Sequence, residues 1–256
     1  MFNLSAVPVP DLSGKTILVT GAGRGIGAVL TGILLAKGAT VYAGVQKAAQ
    51  PDWQAHLEGA HVFDLDVTVP ASIASAIACL PGKLDVLVNN AGTIGPIGHF
   101  GSIDSDALAH TLDVNVIGVH RMITAALPLL ATSQGTIVNA GTGAATTAME
   151  GWTAYCSSKA AARMLTLMCE KELATRNVQS FFIGIPPTDT SMQGKIRASG
   201  LNPISQIAQD SLVDPVVPAS VMAWLCGPQA RSLNTCLLDV RDAFFQDMAG
   251  PSSSNS

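Results

Sequence analysis

The feature that most constrains the fold of this chain is a regular alternation of short apolar runs with longer helical patterns. Apolar, β-rich runs predict strands at 16–20, 39–43, 61–65, 85–89, 136–139, 178–183 and 236–240. Helical patterns lie between them at 26–37, 72–80, 104–131, 152–176 and 217–226. Strands that are apolar throughout indicate a parallel sheet with helices covering both faces. Because crossovers between parallel strands are right-handed, this order predicts a doubly wound α/β fold.

The chain has 256 residues, enough for one large α/β domain with a substantial core. No linker rich in Pro, Gly or Ser divides it, so we expect a single domain over 1–249 and a disordered tail over 250–256. The stretch 188–212 is polar and contains Gly194, Gly200 and Pro203, a composition that suits a mobile lid.

Composition narrows the class of partner. Hydrophobic residues make up 48% of the chain and charged residues only 12%, which favours a homodimer or homotetramer over an alanine-rich monomer. The net charge is −4 and the basic residues are scattered, which argues against nucleic acid as a partner. No apolar run of spanning length and no signal peptide are evident, so we expect no membrane association.

The five cysteines are widely spaced and include no Cys-x-x-Cys pair. That pattern is typical of reduced thiols in a cytoplasmic protein and predicts neither a metal site nor a disulfide framework.

Directly after the first predicted strand comes a glycine-rich turn, TGAGRGIG at 20–27. Glycines let the backbone approach a phosphate, and the following helix offers free N–H groups and the positive end of its dipole. A pyrophosphate of a dinucleotide therefore fits here, although the spacing matches two related glycine patterns and a tight turn alone is an alternative.

Four further segments follow in order: Asp66-Val67, NNAG at 89–92, DVNVIG around Asn115, and YCSSK at 155–159. Together with the glycine turn they resemble the short-chain dehydrogenase/reductase family over about 12–240. The resemblance implies a Rossmann-type sheet of about seven strands, with the active site at the carboxyl ends of the strands. It implies an oxidoreductase that moves a hydride between a nicotinamide cofactor and a carbonyl/alcohol pair.

The same resemblance implies that Tyr155 is the general acid/base at the substrate oxygen. A phenol has an ordinary pKa of about 10, so it needs help to exchange protons near neutral pH. Lys159 lies four residues further along the same helix face, and its ammonium would favour the phenolate. In the family this lysine also holds the nicotinamide ribose, and the residue matching Asn115 carries a water that connects the lysine to solvent.

Cofactor binding is implied for residues from several parts of the chain. The glycine turn would line the pyrophosphate with Gly21, Arg24, Gly25, Ile26 and Gly27. The remaining contacts are expected from Asp66 and Val67 at the adenine, Asn90 at the adenosine-side ribose, Thr188 and Thr190 in the nicotinamide-side loop, and Tyr155 and Lys159. Two alternatives stay open, because Asn90 also suits a strand-ending turn and Asp66 also suits a cap for the next element.

Three positions depart from the family pattern. Thr142 stands thirteen residues before Tyr155, where the family usually has the serine that hydrogen-bonds the substrate oxygen; Thr146 and Thr147 are less well spaced alternatives. Pro187 replaces the usual glycine after the sixth strand, and 239–242 replaces a usual Asp-Gly-Gly, which puts the nicotinamide-side loop and the subunit contacts in doubt.

The residues at the end of the second predicted strand indicate whether the cofactor is NAD(H) or NADP(H). An NAD enzyme of this fold usually carries Asp or Glu there, whereas this chain has Gln46 and Lys47. Arg24 and Lys47 are positioned to meet a 2′-phosphate, so NADP(H) is favoured and NAD(H) stays possible.

Candidate pocket residues are mostly apolar: Ile94, Phe100, Met149, Trp152 and Met192. They favour reduction of an apolar or cyclic ketone or aldehyde, although each also suits ordinary packing. Two other readings stay open because of the departures. One is a dinucleotide-binding sensor or scaffold with weak or no redox activity, and the other is a non-redox enzyme on the same fold.

Overall fold

The computed structural model describes residues 2–46 and 57–250. Every strand found there joins one seven-stranded sheet in the order β3-β2-β1-β4-β5-β6-β7, and neighbouring strands pair in parallel. The strands are β1 (Thr16–Thr20), β2 (Thr40–Val45), β3 (His61–Asp64), β4 (Val86–Asn89), β5 (Thr136–Thr142), β6 (Gln179–Ile185) and β7 (Leu237–Asp239). The predicted doubly wound parallel sheet is confirmed.

Eight α-helices are found among the described residues. They are α1 (Gly25–Ala36), α2 (Pro70–Ala78), α3 (Ser105–Leu112), α4 (Gly118–Ser133), α5 (Thr153–Leu173), α6 (Ser191–Ser199), α7 (Val216–Leu225) and α8 (Ala243–Ala249). Two apolar cores lie on the two faces of the sheet. Leu30, Leu34 and Met222 belong to the core that holds Val19 of β1, whereas Met122 and Leu130 belong to the core that holds Leu18.

The long helical pattern predicted over 104–131 is found as a helical run from Ser105 to Ser133. Within this run a π-helical turn, Asp113–Ile117, which the pattern did not predict, separates α3 from α4. The wider turn contains Asn115, which is 1% exposed and bonded to two neighbouring segments. Hydrophobic periodicity reports which face of a helix is buried and does not register one residue added to a turn.

Strand β5 is longer than predicted and ends at Thr142 instead of residue 139. Ala140, Gly141 and Thr142 continue the pairing with β6 as far as Ile185. Gly141 lies against the ring of Phe182, which leaves no room for a β-carbon at that position. Thr142 is therefore held by the sheet itself rather than by a loop.

The helical run Ser105–Ser133 is long and apolar enough to cross a membrane by length and composition alone. Its apolar side chains, however, pack on the sheet, with Met122, Ala126 and Leu130 each fully buried in the core beneath β1, β4 and β5. A buried core helix satisfies the same length and composition criterion. The predicted absence of membrane association stays a prediction.

Candidate active site

The topology creates a crevice at the carboxyl ends of the strands. Strand order reverses between β1 and β4, because the chain leaves β1 towards β2 and β3 and returns on the other side with β4. In open α/β sheets, ligands bind outside the strand ends at such a switch point. The segments singled out by the sequence converge there: the glycine turn after β1, Asn90 after β4, and Thr142 at the end of β5.

The glycine turn leads straight from β1 into α1. Gly21 has φ of +65° and lies against Ala91, where a β-carbon would come within 2.8 Å of the Ala91 Cα. Gly27 is closer still to its neighbours, since a β-carbon there would collide with the Gly21 carbonyl oxygen. Arg24 is the N-cap of α1, and its side chain makes no cap hydrogen bond. The backbone N–H groups in the first turn of α1 therefore lie at the crevice without a capping side chain from Arg24.

Asn90 holds this turn in place. Its Nδ2 donates to the carbonyl oxygens of Thr20 (3.1 Å) and Gly21 (3.0 Å). The backbone N–H groups of Asn90 and Ala91 donate to Thr20 Oγ1, at 3.1 and 3.0 Å. These bonds fasten the segment after β4 to the turn after β1, although residues 90–97 themselves form no turn, so the strand-ending turn left open as an alternative is not found.

The residues expected around the adenosine occupy the same edge of the sheet. Gln46 is exposed directly after β2, and the Gly44 carbonyl accepts from the Ala22 N–H at 3.0 Å, which ties β2 to the glycine turn. Asp66 Oδ1 accepts from the backbone and hydroxyl of Thr68, so this carboxylate closes a local turn. It does not cap the next element, because the N-cap of α2 is Val69 and has no side-chain cap bond. Val67 is 8% exposed and packs on Gly118. Lys47 lies outside the described residues.

Thr142 is half-buried at the tip of β5. Its hydroxyl oxygen accepts from the Ala144 N–H at 3.3 Å, and it shares a hydrogen bond with Tyr155 that lowers the pKa of the phenol. The alternatives are placed less well, since Thr146 and Thr147 are exposed and the Thr146 hydroxyl donates to the Gly143 carbonyl. Of the three threonines, Thr142 is the one brought to Tyr155.

Tyr155 lies in the first turn of α5, with its ring edge-to-face on Trp152 at a centroid distance of 5.6 Å. Burial is the main cause that raises the pKa of its phenol above the ordinary 10, and the charge of Cys156 acts in the same direction. Desolvation penalises the phenolate and sets the direction of this shift. That Lys159 favours the phenolate stays a prediction.

Lys159 is 8% exposed and its Nζ donates to the Ala140 carbonyl of β5 at 2.8 Å. The Nζ lies 5.8 Å from the centroid of the Tyr155 ring. A β-carbon on Gly92 would be 3.8 Å from this Nζ, so the absence of a side chain at Gly92 leaves room beside the ammonium. Burial lowers the pKa of Lys159 to about 8, because the charged form loses hydration.

Asn115 connects three segments of the site. Its Oδ1 accepts from the Thr93 N–H at 2.9 Å, and its Nδ2 donates to the Thr93 carbonyl at 2.8 Å and to Ser158 Oγ at 2.9 Å. Ser158 Oγ in turn donates to the Tyr155 carbonyl at 2.8 Å. This amide therefore fixes the turn of α5 that carries Tyr155 and Lys159 relative to the loop after β4.

The loop after β6 reaches back over the glycine turn. Thr190 is the N-cap of α6, and its methyl group would be 3.3 Å from a β-carbon on Gly25. Thr188 is buried, its hydroxyl donates to the Pro186 carbonyl at 2.8 Å, and its backbone pairs with Val213. The expected lid thus contains a helix and is fastened at its base, while its mobility stays a prediction.

An apolar cluster lies beside Tyr155 and is built from the loop after β4, the loop before α5, and α6. It contains four of the five pocket residues suggested by the sequence, together with others, as follows: Ile94, Ala144, Met149, Trp152, Met192, Ile196, Ile97, Cys156 and Ile204. Phe100 is the exception, because it is 84% exposed and lies outside this cluster. Chain position alone did not show which apolar residues of the loop turn inward.

Sequence reasoning missed the groups that hold the catalytic side chains. Thr20, Ser158 and the Ala140 carbonyl all bond to site residues, but none of them carries a distinctive pattern. Small hydroxyl residues are common everywhere in a chain, and a carbonyl oxygen leaves no mark in the sequence at all. The position of Ser158 three residues after Tyr155, on the same helix face, is the one signal that was available.

Comparisons with known proteins agree with this geometry. The family model described as short chain dehydrogenase matches residues 15–200. A benzil reductase ((S)-benzoin forming) of Saccharomyces cerevisiae is 32% identical over 237 residues, covering 83% of this chain and 90% of the relative.

Two solved structures that share the fold are complexes with a nicotinamide cofactor. A short chain dehydrogenase of Burkholderia cenocepacia in complex with NADP is 26% identical, covers 93% of this chain and 92% of its own, and has a TM-score of 0.75. A 3-ketoacyl-(acyl-carrier-protein) reductase of Brucella melitensis complexed with NADH is 25% identical, covers 90% of this chain and 97% of its own, and has a TM-score of 0.78.

Proposed function

The chain belongs to the short-chain dehydrogenase/reductase family, an NAD(P)-dependent oxidoreductase, and from that premise we propose that it reduces an apolar or cyclic ketone or aldehyde with NADPH. The observation that carries the proposal is the convergence of Thr142, Tyr155 and Lys159 beside an α1 amino terminus that no described side chain caps. The apolar cluster against Tyr155 supplies the substrate class.

The residues present fit a nicotinamide dinucleotide. The close approach of Gly21 and Gly27 to their neighbours leaves the α1 amides open, as a pyrophosphate requires, and the space beside Gly92 adjoins Lys159 Nζ, as a ribose hydroxyl requires. We propose the pyrophosphate at Gly21, Arg24, Gly25, Ile26 and Gly27, and the adenosine at Gln46, Lys47, Asp66, Val67 and Asn90. Thr188 and Thr190 would close the nicotinamide side.

When bound, the nicotinamide supplies the hydride, which adds to the carbonyl carbon of the substrate. The protein supplies the matching proton. Tyr155, whose raised pKa keeps the phenol protonated, gives that proton to the substrate oxygen, and the carbonyl becomes an alcohol. Thr142 Oγ1 accepts from the Ala144 N–H and its own hydrogen is shared with the Tyr155 oxygen. We propose that this hydrogen turns to the developing oxyanion when the substrate oxygen lies between the two hydroxyls.

Lys159 acts on the phenolate that remains. An ammonium within 5.8 Å of the ring centroid stabilises the negative charge in a site from which water is excluded. Asn115 acts as a positioning residue, because it holds the α5 turn through Ser158. We propose that its backbone, in the π-helical turn, also carries the water through which Lys159 recovers a proton.

NADPH is preferred over NADH in this proposal because no carboxylate follows β2. Gln46 and Arg24 are both exposed, and the bond from Ala22 to Gly44 brings their backbones together at the edge where a 2′-phosphate would lie. A guanidinium binds a phosphate through charge-assisted hydrogen bonds, whereas an amide at Gln46 neither attracts nor repels it.

We also propose that residues 1–249 act as one catalytic domain in a cytoplasmic homodimer or homotetramer. Met164 and Met168 are 55% and 41% exposed, and they lie one turn apart on the same face of α5. Burying this face against a second copy would remove two large apolar side chains from water.

The deciding experiment is the loss of absorbance of reduced nicotinamide with a panel of apolar ketones and aldehydes. Turnover with NADPH that disappears in Tyr155→Phe supports the proposal. Tight cofactor binding without turnover on any of the carbonyl compounds would favour a sensor or scaffold. A substrate consumed without any change in the nicotinamide would favour a non-redox enzyme.

A further inference from the structure

The indole nitrogen of Trp152 is a buried donor with no acceptor. Trp152 is 5% exposed, and its Nε1 has no hydrogen-bond partner among the residues that the structure describes. The two other buried polar atoms in the same condition are carbonyl oxygens, on Asn89 and Gln179. An N–H has a single hydrogen to place, so a buried donor without an acceptor is rarer than a buried carbonyl and calls for an explanation.

Water is a poor explanation at this site. A buried water is stable when two to four polar groups surround it. The side chains clustered with Trp152 are mainly apolar, from Ile94, Ala144, Ile196 and the neighbouring methionines, and no described polar atom bonds to Nε1. A molecule that is largely apolar and carries one acceptor atom fits these surroundings better than water does.

The donor lies inside the proposed substrate site. Trp152 packs edge-to-face on Tyr155 with ring centroids 5.6 Å apart, and both rings belong to the same apolar cluster. Two backbone hydrogen bonds hold Trp152 in place. Its backbone N–H donates to the Met149 carbonyl, and its backbone carbonyl accepts from the Cys156 N–H at 2.8 Å. The phenol and the indole N–H are thus two fixed donors within the reach of one small molecule.

Helix α6 contributes two side chains, Met192 and Ile196, to the cluster that contains Trp152. The segment after α6 is fastened to the loop before α5, where Asn202 Nδ2 donates to the Glu150 carbonyl at 2.9 Å. A substrate that enters this cluster would therefore contact apolar side chains of α6 as well as the two aromatic rings.

We propose that Trp152 Nε1–H donates a hydrogen bond to a second oxygen of the substrate, one or two carbon atoms from the carbonyl that Tyr155 protonates. The preferred substrates are then vicinal diketones and closely related oxygenated ketones rather than simple ketones. This inference rests on the proposed function, because it takes Tyr155 as the group at the reacting oxygen. It makes Trp152 a specificity-determining residue.

The kinetic test compares phenylpropanedione with propiophenone and phenylacetone, which each keep one of its two carbonyl groups. Trp152→Phe keeps an aromatic ring and removes the donor. We expect kcat/KM for the diketone to fall about 3- to 10-fold, the worth of one neutral hydrogen bond, and the values for the monoketones to stay within about twofold. Equal losses on all three ketones would overturn the inference and leave Trp152 a packing role.

Trp224→Phe is the matched control. Trp224 is about equally buried, at 6% exposed. It packs on Phe244 and Phe245 and belongs to the core that holds Val19 of β1, not to the cluster beside Tyr155. The same loss of an indole there should leave the ratio of diketone to monoketone activity unchanged. A shift of that ratio in Trp224→Phe would show that the ratio reports general loosening of the fold.

A second measurement does not depend on turnover. In protein labelled at the indole nitrogen, the Trp152 signal is identified by its loss in Trp152→Phe, and NADP⁺ with a ketone forms a complex that cannot react. We expect phenylpropanedione to move this signal downfield and slow its exchange with solvent, and the monoketones to do neither. An unmoved signal at saturating diketone would refute the contact. If no ketone is reduced yet the signal moves, the contact stands and the proposed function fails.

Discussion

Lys159 Nζ donates to the Ala140 carbonyl at 2.8 Å, which fixes the ammonium of α5 to strand β5 two residues before Thr142. The bond sets the distance between the ammonium and the phenol, and it explains why a fully buried lysine is tolerated. One of its three hydrogens is satisfied by the protein, and the others face the space beside Gly92.

Replacing Tyr155 by Phe should remove the proton donor while keeping the ring and its contact with Trp152. We expect kcat to fall on the order of 10²- to 10⁴-fold, the usual contribution of a general acid, with little change in the Kd of NADPH. Steady-state kinetics and fluorescence titration of the cofactor measure the two quantities. Turnover near that of the parent would remove Tyr155 from the mechanism.

The pH profile of reduction should follow Lys159. Its pKa is lowered to about 8 by burial, so the ammonium is present below that pH and lost above it. Because the ammonium stabilises the phenolate left after proton transfer, kcat/KM for reduction should be level below pH 8 and fall above it. Lys159→Arg keeps the charge at all these pH values, so any activity it retains should lack the fall. A fall at the same pH in both proteins would assign it to another group.

Thr142 should matter through its hydroxyl. Thr142→Val keeps the shape and removes the donor, and losing such a donor costs on the order of 10²–10³ in rate at comparable sites. Thr142→Ser keeps the donor and should stay near the parent. The measurement is kcat/KM of both variants on one substrate. Equal behaviour of Val and Ser would mean that the bond to the Ala144 N–H is the whole role of Thr142.

Cofactor preference should depend on Arg24. The side chain is exposed at the N-cap of α1, so Arg24→Ala should weaken NADPH binding about tenfold and leave NADH binding nearly unchanged. Gln46→Asp should shift the preference in the same direction, because a carboxylate there would repel a 2′-phosphate and accept from the ribose hydroxyls of NADH. Dissociation constants of the two reduced cofactors decide the matter. Tighter binding of NADH by the parent would reverse the preference.

Assembly should depend on the exposed face of α5. Met164→Glu together with Met168→Glu places two carboxylates on that face, and we expect the mass by light scattering to fall from an oligomer to a monomer. Val69→Glu is the control, because Val69 is comparably exposed, at 44%, but lies before α2. A parent protein that is monomeric at micromolar concentration contradicts the proposed dimer or tetramer.

The sequence by itself determined the parallel doubly wound sheet and the identity of the chemical groups. Apolar runs separated by helices leave few other arrangements once right-handed crossovers are required, and a strand is found at each of the seven places along the chain where one was predicted. Two features are local patterns that can be recognised in the sequence alone: the spacing that places Tyr155 and Lys159 on one helix face, and the glycines after β1.

Only the tertiary structure decided how those groups are held and tuned. The pKa of Tyr155 is raised mainly by burial, which depends on every segment that covers the ring, so the local spacing to Lys159 does not by itself give the direction of the shift. The indole N–H of Trp152 likewise lacks an acceptor because three separate segments pack around it and none of them places an acceptor atom within hydrogen-bond distance. Desolvation and hydrogen-bond partnership are properties of the packed environment, and residues far apart in the chain create that environment together.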